Sequence, residues 1–527
     1  MRKHILCLKL TTLITAVSCA TAAETTPLMS LHLESYTGLQ HQLFRSAELF
    51  DAPELGAVPL FLTMAIPGAA HIDHKKPVAV HLIGKKTVPG VVIEVAPVGT
   101  TDAYIRAVLG KDPDETRTIH PFNGGAITAV NGRLRISPYP KYLEALEKEG
   151  LTTLPAAPDI PGTIKIIAFP AAAQPWFKNL ETTILTYLSP SLKDYPHDDS
   201  TSIDLYQSIA EQVKSLTLGI ATDDRGLLLH SGIEAVPGTD VAALIASRPP
   251  LPPQLLNFRN KNEVFWIAGS GYTMPPTLAE QTAAAHAARL AAKYQLAVPE
   301  NEEPIDFSTI TSLLMAGQAA PFSLSLDIAL NALQARGIVM INNPQARYED
   351  YIAAISTLPV TALLKDIGLQ IETAAPRKYG STTIRRHLSL FNDELFRKNR
   401  ENRIPPTTKR KKAVAEIAHQ ANLKKSLNAL VSTGCECAAV ADALVFGTGS
   451  PAMIESAVDH LNSATTLQIS QNTRNLLERL TLENTPCTVG EIVLSDIIIK
   501  LAHHTPETDK QALSAHTSGE AIIFAEW

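Results

Sequence analysis

The densest concentration of chemistry in the sequence is basic. Arg397, Lys398, Arg400, Arg403, Lys409, Arg410, Lys411 and Lys412 place eight positive charges within 16 residues around Pro405-Pro406. In a chain of formal net charge −6, such a local inversion would hold a phosphorylated glycan, a lipid head group or an acidic partner. The plainer reading of the same run is a solvated loop between elements. His71-Ile72-Asp73-His74 gathers three potential metal ligands, but a metal needs at least one more ligand and supporting contacts from elsewhere in the chain. A solvated polar loop ahead of the strand at 79–82 accounts for it better, so neither a metal nor a cofactor is expected. Gly447-Thr448-Gly449-Ser450-Pro451-Ala452 resembles a glycine-rich phosphate turn, yet Pro451 removes one of the amides such a turn would use. It reads better as a capped strand-to-helix turn.

Other catalytic signatures fail on spacing. No Gly is followed two residues later by Ser, no His is followed by Glu, and no Lys has Ser three residues before it. These absences remove the nucleophile elbow, the zincin helix and the serine–lysine pair. No catalytic residue is assigned, although acid–base pairs of Asp and Glu leave no fixed spacing. Beyond the first 22 residues the cysteines are Cys435, Cys437 and Cys487. A bond between Cys487 and either Cys435 or Cys437 is the expected pairing, leaving one free thiol.

The elements that must position these residues follow a recurring local grammar: two short strands, a cap signal and an amphipathic helix. The segments are 79–109, 126–146, 215–246, 323–355 and 436–461. Asn131-Gly132 suits a tight hairpin turn, because both central residues need positive φ. Ser137-Pro138, Asn343-Pro344 and Ser450-Pro451 match a helix N-cap followed by proline, whose missing amide proton costs nothing at that position. Longer helices are interleaved, including an Ala-rich one opened by Thr277-Leu278-Ala279-Glu280. Strands clustered in hairpins predict an α+β fold with antiparallel sheets, not a parallel α/β fold. Arg248-Pro249-Pro250-Leu251-Pro252-Pro253 is the strongest breaker and divides the chain into two expected lobes, 23–248 and 254–527.

Residues 1–22 read as a secretory signal peptide: basic Arg2-Lys3-His4, a short apolar run and the small-residue site Ala20-Thr21-Ala22. Their removal takes away Arg2, Lys3 and Lys9 and no acid, moving the net charge from −6 to −9. That balance argues against nucleic acid as the main partner. With 45% hydrophobic and 19% charged residues the chain is too apolar for intrinsic disorder. No later stretch approaches 18 uninterrupted apolar residues, so no transmembrane segment is expected after signal cleavage.

The serial hairpin–helix pattern behind a signal peptide, with Leu216-Thr217-Leu218 through Gly226-Leu227-Leu228 as one hairpin, resembles large exported proteins of Gram-negative bacterial envelopes. The resemblance implies a location and a build. Those proteins have no assigned activity, so it implies no site. The expectation is an exported, non-catalytic binding or scaffold protein of the periplasm or cell surface, with an envelope protein or an anionic glycan as partner. Two alternatives stand beside it. One is a hydrolase acting on envelope or extracellular polymer through carboxylates between the lobes, and the other is a lipoprotein anchored at Cys19.

Overall fold

The computed structural model describes residues 26–49, 66–84, 90–148, 153–173, 200–223, 226–259, 263–295, 320–329, 332–355, 364, 368–401, parts of 414–421, 434–463, 471–479, 487–493, 497 and 521–526. The expected signal peptide and Cys19 lie outside them. The fold is α+β with antiparallel sheets, and the chain divides into two compact units meeting at Ala243/Leu244.

The first unit opens with β1 (Thr26–Leu33) and α1 (Tyr36–Leu49), followed by β2 (Val78–Gly84) and β3 (Gly90–Val95). Helix α2 (Thr101–Leu109) starts where the Thr100 hydroxyl accepts from Ala103 N and stops at Gly110, whose φ of 65° suits glycine. Next come β4 (Ile119–Phe122), β5 (Gly125–Val130), β6 (Arg133–Ser137) and α3 (Pro140–Lys148). Asn131 and Gly132 both take positive φ, 53° and 73°, and close the β5–β6 hairpin as their types predict. The unit continues with β7 (Ile164–Ala168), α4 (Ser200–Gln212), β8 (Val213–Asp223) and β9 (Gly226–Ala235), and α5 (Asp240–Ala246) straddles the boundary. Strand order is β4-β5-β6-β3-β2-β1-β7-β8-β9, antiparallel throughout.

Both faces of this sheet are covered. Leu33 with Val78, and Val95 with Leu134, are register partners on one face, packed with Tyr104 and Ile105 of α2. Burial of that face is the main stabilising term for the unit, at about 25 cal/mol per Å² of apolar surface removed from water. On the opposite face Ile83, Val92 and Ala126 pack against Tyr142, Leu143 and Leu146 of α3. Gly90 lets that helix approach, because a Cβ there would collide with the Tyr142 ring.

The second unit runs α6 (Pro253–Leu256), β10 (Phe265–Gly269), α7 (Pro276–Gln295), β11 (Phe322–Ala329), β12 (Ala332–Met340) and α8 (Pro344–Ile355). It continues with β13 (Leu369–Thr373), β14 (Arg377–Tyr379), β15 (Thr382–Phe391), α9 (Asp393–Glu401), β16 (Cys435–Val440) and β17 (Ala443–Thr448). Helices α10 (Pro451–Ser463) and α11 (Gln471–Arg479) precede β18 (Thr488–Val493) and β19 (Ala521–Glu526). Strand order is β15-β16-β17-β12-β11-β10-β18-β19, with β13 and β14 both on the outer edge of β15.

That order matches β4-β5-β6-β3-β2-β1-β7-β8 of the first unit, strand for strand. The turns lock the match into register: Val130↔Arg133 closes one hairpin and Val440↔Ala443 the other, two residues intervening in each. Helix α10 then occupies the place of α3. It lies close over the sheet because Gly447 has no Cβ; one would sit 2.6 Å from Ile454 N.

Candidate functional site

On the α3 face of the first sheet the apolar pattern breaks. His32, Ala79, Glu94 and Arg135 are register partners across β1, β2, β3 and β6, and Lys165 of β7 faces His32 from the other side. One step along the strands, Ser30 faces His81. Side chains two apart on a strand share a face, so all seven residues project from the same face of the sheet. This row borders a cavity of about 450 Å³, within the ordinary range for small-ligand sites. Leu154 and Pro155, in the segment that follows α3, supply apolar wall.

The charges are arranged unevenly. Arg135 is 4% exposed and its Nε donates to Glu94 Oε1 at 2.7 Å. His81 Nε2 lies 3.6 Å from the other carboxylate oxygen, while Ser30 Oγ and His81 Nδ1 share a hydrogen bond of 2.8 Å. Burial works to raise the Glu94 pKa, but the His81 and Arg135 side chains more than offset it and hold the carboxyl at about 2. His32 stacks edge-on to His81, ring centroids 5.6 Å apart. Burial first, and His81 second, bring His32 down to about 4, so at neutral pH its imidazole is uncharged. Its Nε2 is buried and has no hydrogen-bond partner among the described residues.

Two cations at the cavity have no carboxylate partner among the described residues. Arg133 donates from Nη2 to Pro77 O at 2.8 Å, and Lys165 makes no hydrogen bond or ion pair there. Two carboxylates also line the cavity. Glu94 is committed to Arg135, and Glu34 is exposed. The net field favours an anion at Lys165 and Arg133, with a neutral imidazole beside it that can serve a hydroxyl.

Ser30, His81 and Glu94 stand in the order of a nucleophile, a base and an orienting acid. Both Ser30 and His81 are fully buried, at 0% exposure, and Ser30 does not border the cavity. In this arrangement Ser30 Oγ is closed off from the cavity, and His81, hydrogen-bonded to Ser30, stands 3.6 Å from the Glu94 carboxylate.

The residues singled out in the sequence lie elsewhere. Arg397, Lys398 and Arg400 are on α9, where Arg397 reaches Asp393 at 3.6 Å and Arg400 lies over the Phe396 ring at 5.6 Å. Arg403, Lys409, Arg410, Lys411 and Lys412 lie outside the described residues. The 71–74 segment is held by its own backbone: His74 Nε2 meets Ala69 O at 3.1 Å, and Asp73 Oδ1 accepts from Lys75 N at 3.0 Å. Among the described residues no group of three or more His, Cys, Asp or Glu could hold a metal. The glycine-rich turn at Gly447 serves the helix contact described above.

The expected disulfide needs correction. All three cysteines are free. Cys487 directly precedes β18, while Cys435 and Cys437 are on β16, with β17, β12, β11 and β10 between them. Five strand spacings amount to about 24 Å, against at most about 7 Å between the Cα atoms of a disulfide. The close thiols are instead Cys435 and Cys437, whose sulfurs are 3.9 Å apart.

Reasoning from sequence missed the site because its polar residues are spread in ones and twos over β1, β2, β3, β6 and β7, which are distant along the chain. The one available signal was Ser30-x-His32 within Leu28–Leu33, a polar alternation where both neighbouring faces turn out to be buried. No helix among the described residues is long and apolar enough to cross a membrane. No protein-family model matches the chain, and no curated protein and no solved structure matches it.

Proposed function

We propose that this is an exported, non-catalytic binding protein of the periplasm or cell surface whose first unit holds a carboxylate-bearing sugar of an envelope glycan. One observation carries the reading: a cavity flanked by Lys165 and Arg133, neither neutralised, with the buried unpartnered Nε2 of His32 in the same wall. A carboxylate would be taken by the two cations in charge-assisted hydrogen bonds, and the apolar Leu154–Pro155 side suits the C–H face of a sugar ring. Export rests on the Arg2-Lys3-His4 and Ala20-Thr21-Ala22 pattern of the N-terminus.

Calorimetric titration of the full chain with glucuronate and with glucose tests the site. Saturable binding of glucuronate alone is expected, weakened about ten-fold or more in Lys165→Met, which corresponds to the loss of a charged hydrogen bond. Equal binding of both sugars, or no effect of Lys165→Met, would overturn it.

A further inference from the structure

The second unit holds a pair of thiols that the sugar site does not involve. Cys435 and Cys437 are two apart on β16, so both side chains project from one face, and their sulfurs are 3.9 Å apart within a weak thiol–thiol hydrogen bond. Residues two apart on a strand have Cα atoms about 6.6 Å apart, inside the range that a disulfide spans. Closing the bond therefore takes side-chain rotation and a slight bend of one strand. Arg385 is the register partner of Cys437 on β15 and His387 that of Cys435. The Arg385 guanidinium is itself engaged, lying 4.6 Å over the Tyr348 ring with Nη1 donating to Gln345 Oε1 at 3.4 Å.

A metal is the weaker reading of this pair. The nearest imidazole, His387, has both nitrogens engaged: Nε2 with Tyr348 OH at 2.6 Å and Nδ1 with Thr373 Oγ1 at 3.2 Å. No third protein ligand completes a group among the described residues.

We propose that Cys435 and Cys437 form a reversible dithiol–disulfide site that exchanges with low-molecular-weight disulfides, Cys435 attacking and Cys437 resolving. The two sulfurs are not equivalent. The hydrogen bond between them, together with burial, leaves the Cys435 pKa lowered and that of Cys437 raised. In the first step the Cys435 thiolate bonds to one sulfur of the external disulfide, whose S–S bond breaks and whose other sulfur leaves as a thiolate and takes up a proton. In the second, Cys437 loses its proton and attacks the Cys435 sulfur, expelling the remaining external thiolate. The protein loses two S–H bonds and gains one S–S bond, and the external disulfide is reduced to two thiols.

The test uses the full chain, reduced and then equilibrated in glutathione buffers of stepped redox poise, with alkylation and peptide mass mapping. Trypsin leaves Cys435 and Cys437 together on 426–474 and Cys487 on 480–500. The expected result is joint loss of both thiols from 426–474 over one transition, with Cys487 still alkylated. Cys437→Ser should accumulate a mixed disulfide on Cys435, and Cys435→Ser should lose nearly all reactivity. Cys435, Cys437 and Cys487 all alkylated at every poise, or a cross-link carrying Cys487, would overturn the site. Equal mixed-disulfide formation by the two serine variants would overturn the assignment of roles. Unchanged circular dichroism of each variant guards against reading unfolding as reactivity.

Discussion

Where the first unit carries His32, Glu94, Arg135 and Lys165, the second carries Ala268, Ile338, Val445 and Val489 at the same register positions. All four replacements are buried at 0% exposure. The strand order therefore does not require charge at these places; an apolar set fills them. The second unit has its own buried ion pair one row away, where Arg336 reaches Glu263 at 2.8 Å, Phe258 O at 2.8 Å and Ser456 at 3.2 Å. There the guanidinium is committed to Glu263, a carbonyl and a hydroxyl, and it also lies 4.4 Å over the Phe258 ring. In the first unit two cations and one imidazole nitrogen keep unused capacity beside a cavity. Desolvating ionic groups costs several kcal/mol each, so the first unit carries a cost at these positions that Ile and Val spare the second.

The sharpest way to break this comparison is to install the counterpart residues. Glu94→Ile alone strands the buried Arg135 and should cost about 3–5 kcal/mol in denaturant unfolding. Glu94→Ile with Arg135→Val should recover most of that loss while abolishing glucuronate binding. A double variant as unstable as the single one would show that the two faces are not interchangeable.

His32 gives the next effect, through pH. Its folded pKa of about 4 lies below the usual 6.5, so between those values the unfolded chain binds a proton that the folded chain does not. Stability should fall as pH drops through that window, by on the order of 3 kcal/mol in total, and change no further on this account below it. Glu94 adds its own loss at lower pH, between about 4.5 and 2. His32→Ala, the residue of its counterpart, should flatten the higher window and leave the lower one. Unfolding midpoints measured from pH 7 to pH 3 would show both.

The helix contacts come third. Gly90→Ala drives a methyl into the Tyr142 ring, and Gly447→Ala drives one into the backbone of α10 at Ile454. Each should cost about 1–3 kcal/mol by overpacking. A neutral result at either would mean that its helix can lift from the sheet without loss. Smallest is Lys165→Val, which removes an unpaired, half-buried ammonium and should shift stability by less than about 0.5 kcal/mol. Its effect should appear in ligand binding instead, so a large stability change would reassign Lys165 to the fold.

The hairpins and their helices were legible because their signals are local. Asn131-Gly132 declares the β5–β6 turn, and Ser137-Pro138 and Ser450-Pro451 mark the starts of α3 and α10 within a few residues. The strands that read poorly are β1, β7, β10 and β18, which lie in the middle of their sheets. Phe265–Gly269 is a five-residue apolar run and Ile164–Ala168 is one interrupted by Lys165, neither with turn chemistry of its own, and length and periodicity do not separate such runs from buried helix. Their partners are distant in sequence, so the adjacency that brings His32, Glu94, Arg135 and Lys165 together is written in no local pattern. The basic run at 397–412 drew attention for the opposite reason, since charge density along the chain is visible without any fold.

The central place of β1 also bears on how the chain is made. Residues 26–33 emerge early, yet one edge of that strand waits for residues 78–84 and the other for residues 164–168. Until then its amides and carbonyls offer a template for pairing with another chain, the usual route to aggregation. Residues 265–269 face the same delay, since β18 arrives only at residues 488–493. Sheets completed by their last strands fold slowly and late in synthesis. A polypeptide of this kind keeps its first sheet open until residues far along the chain have been made.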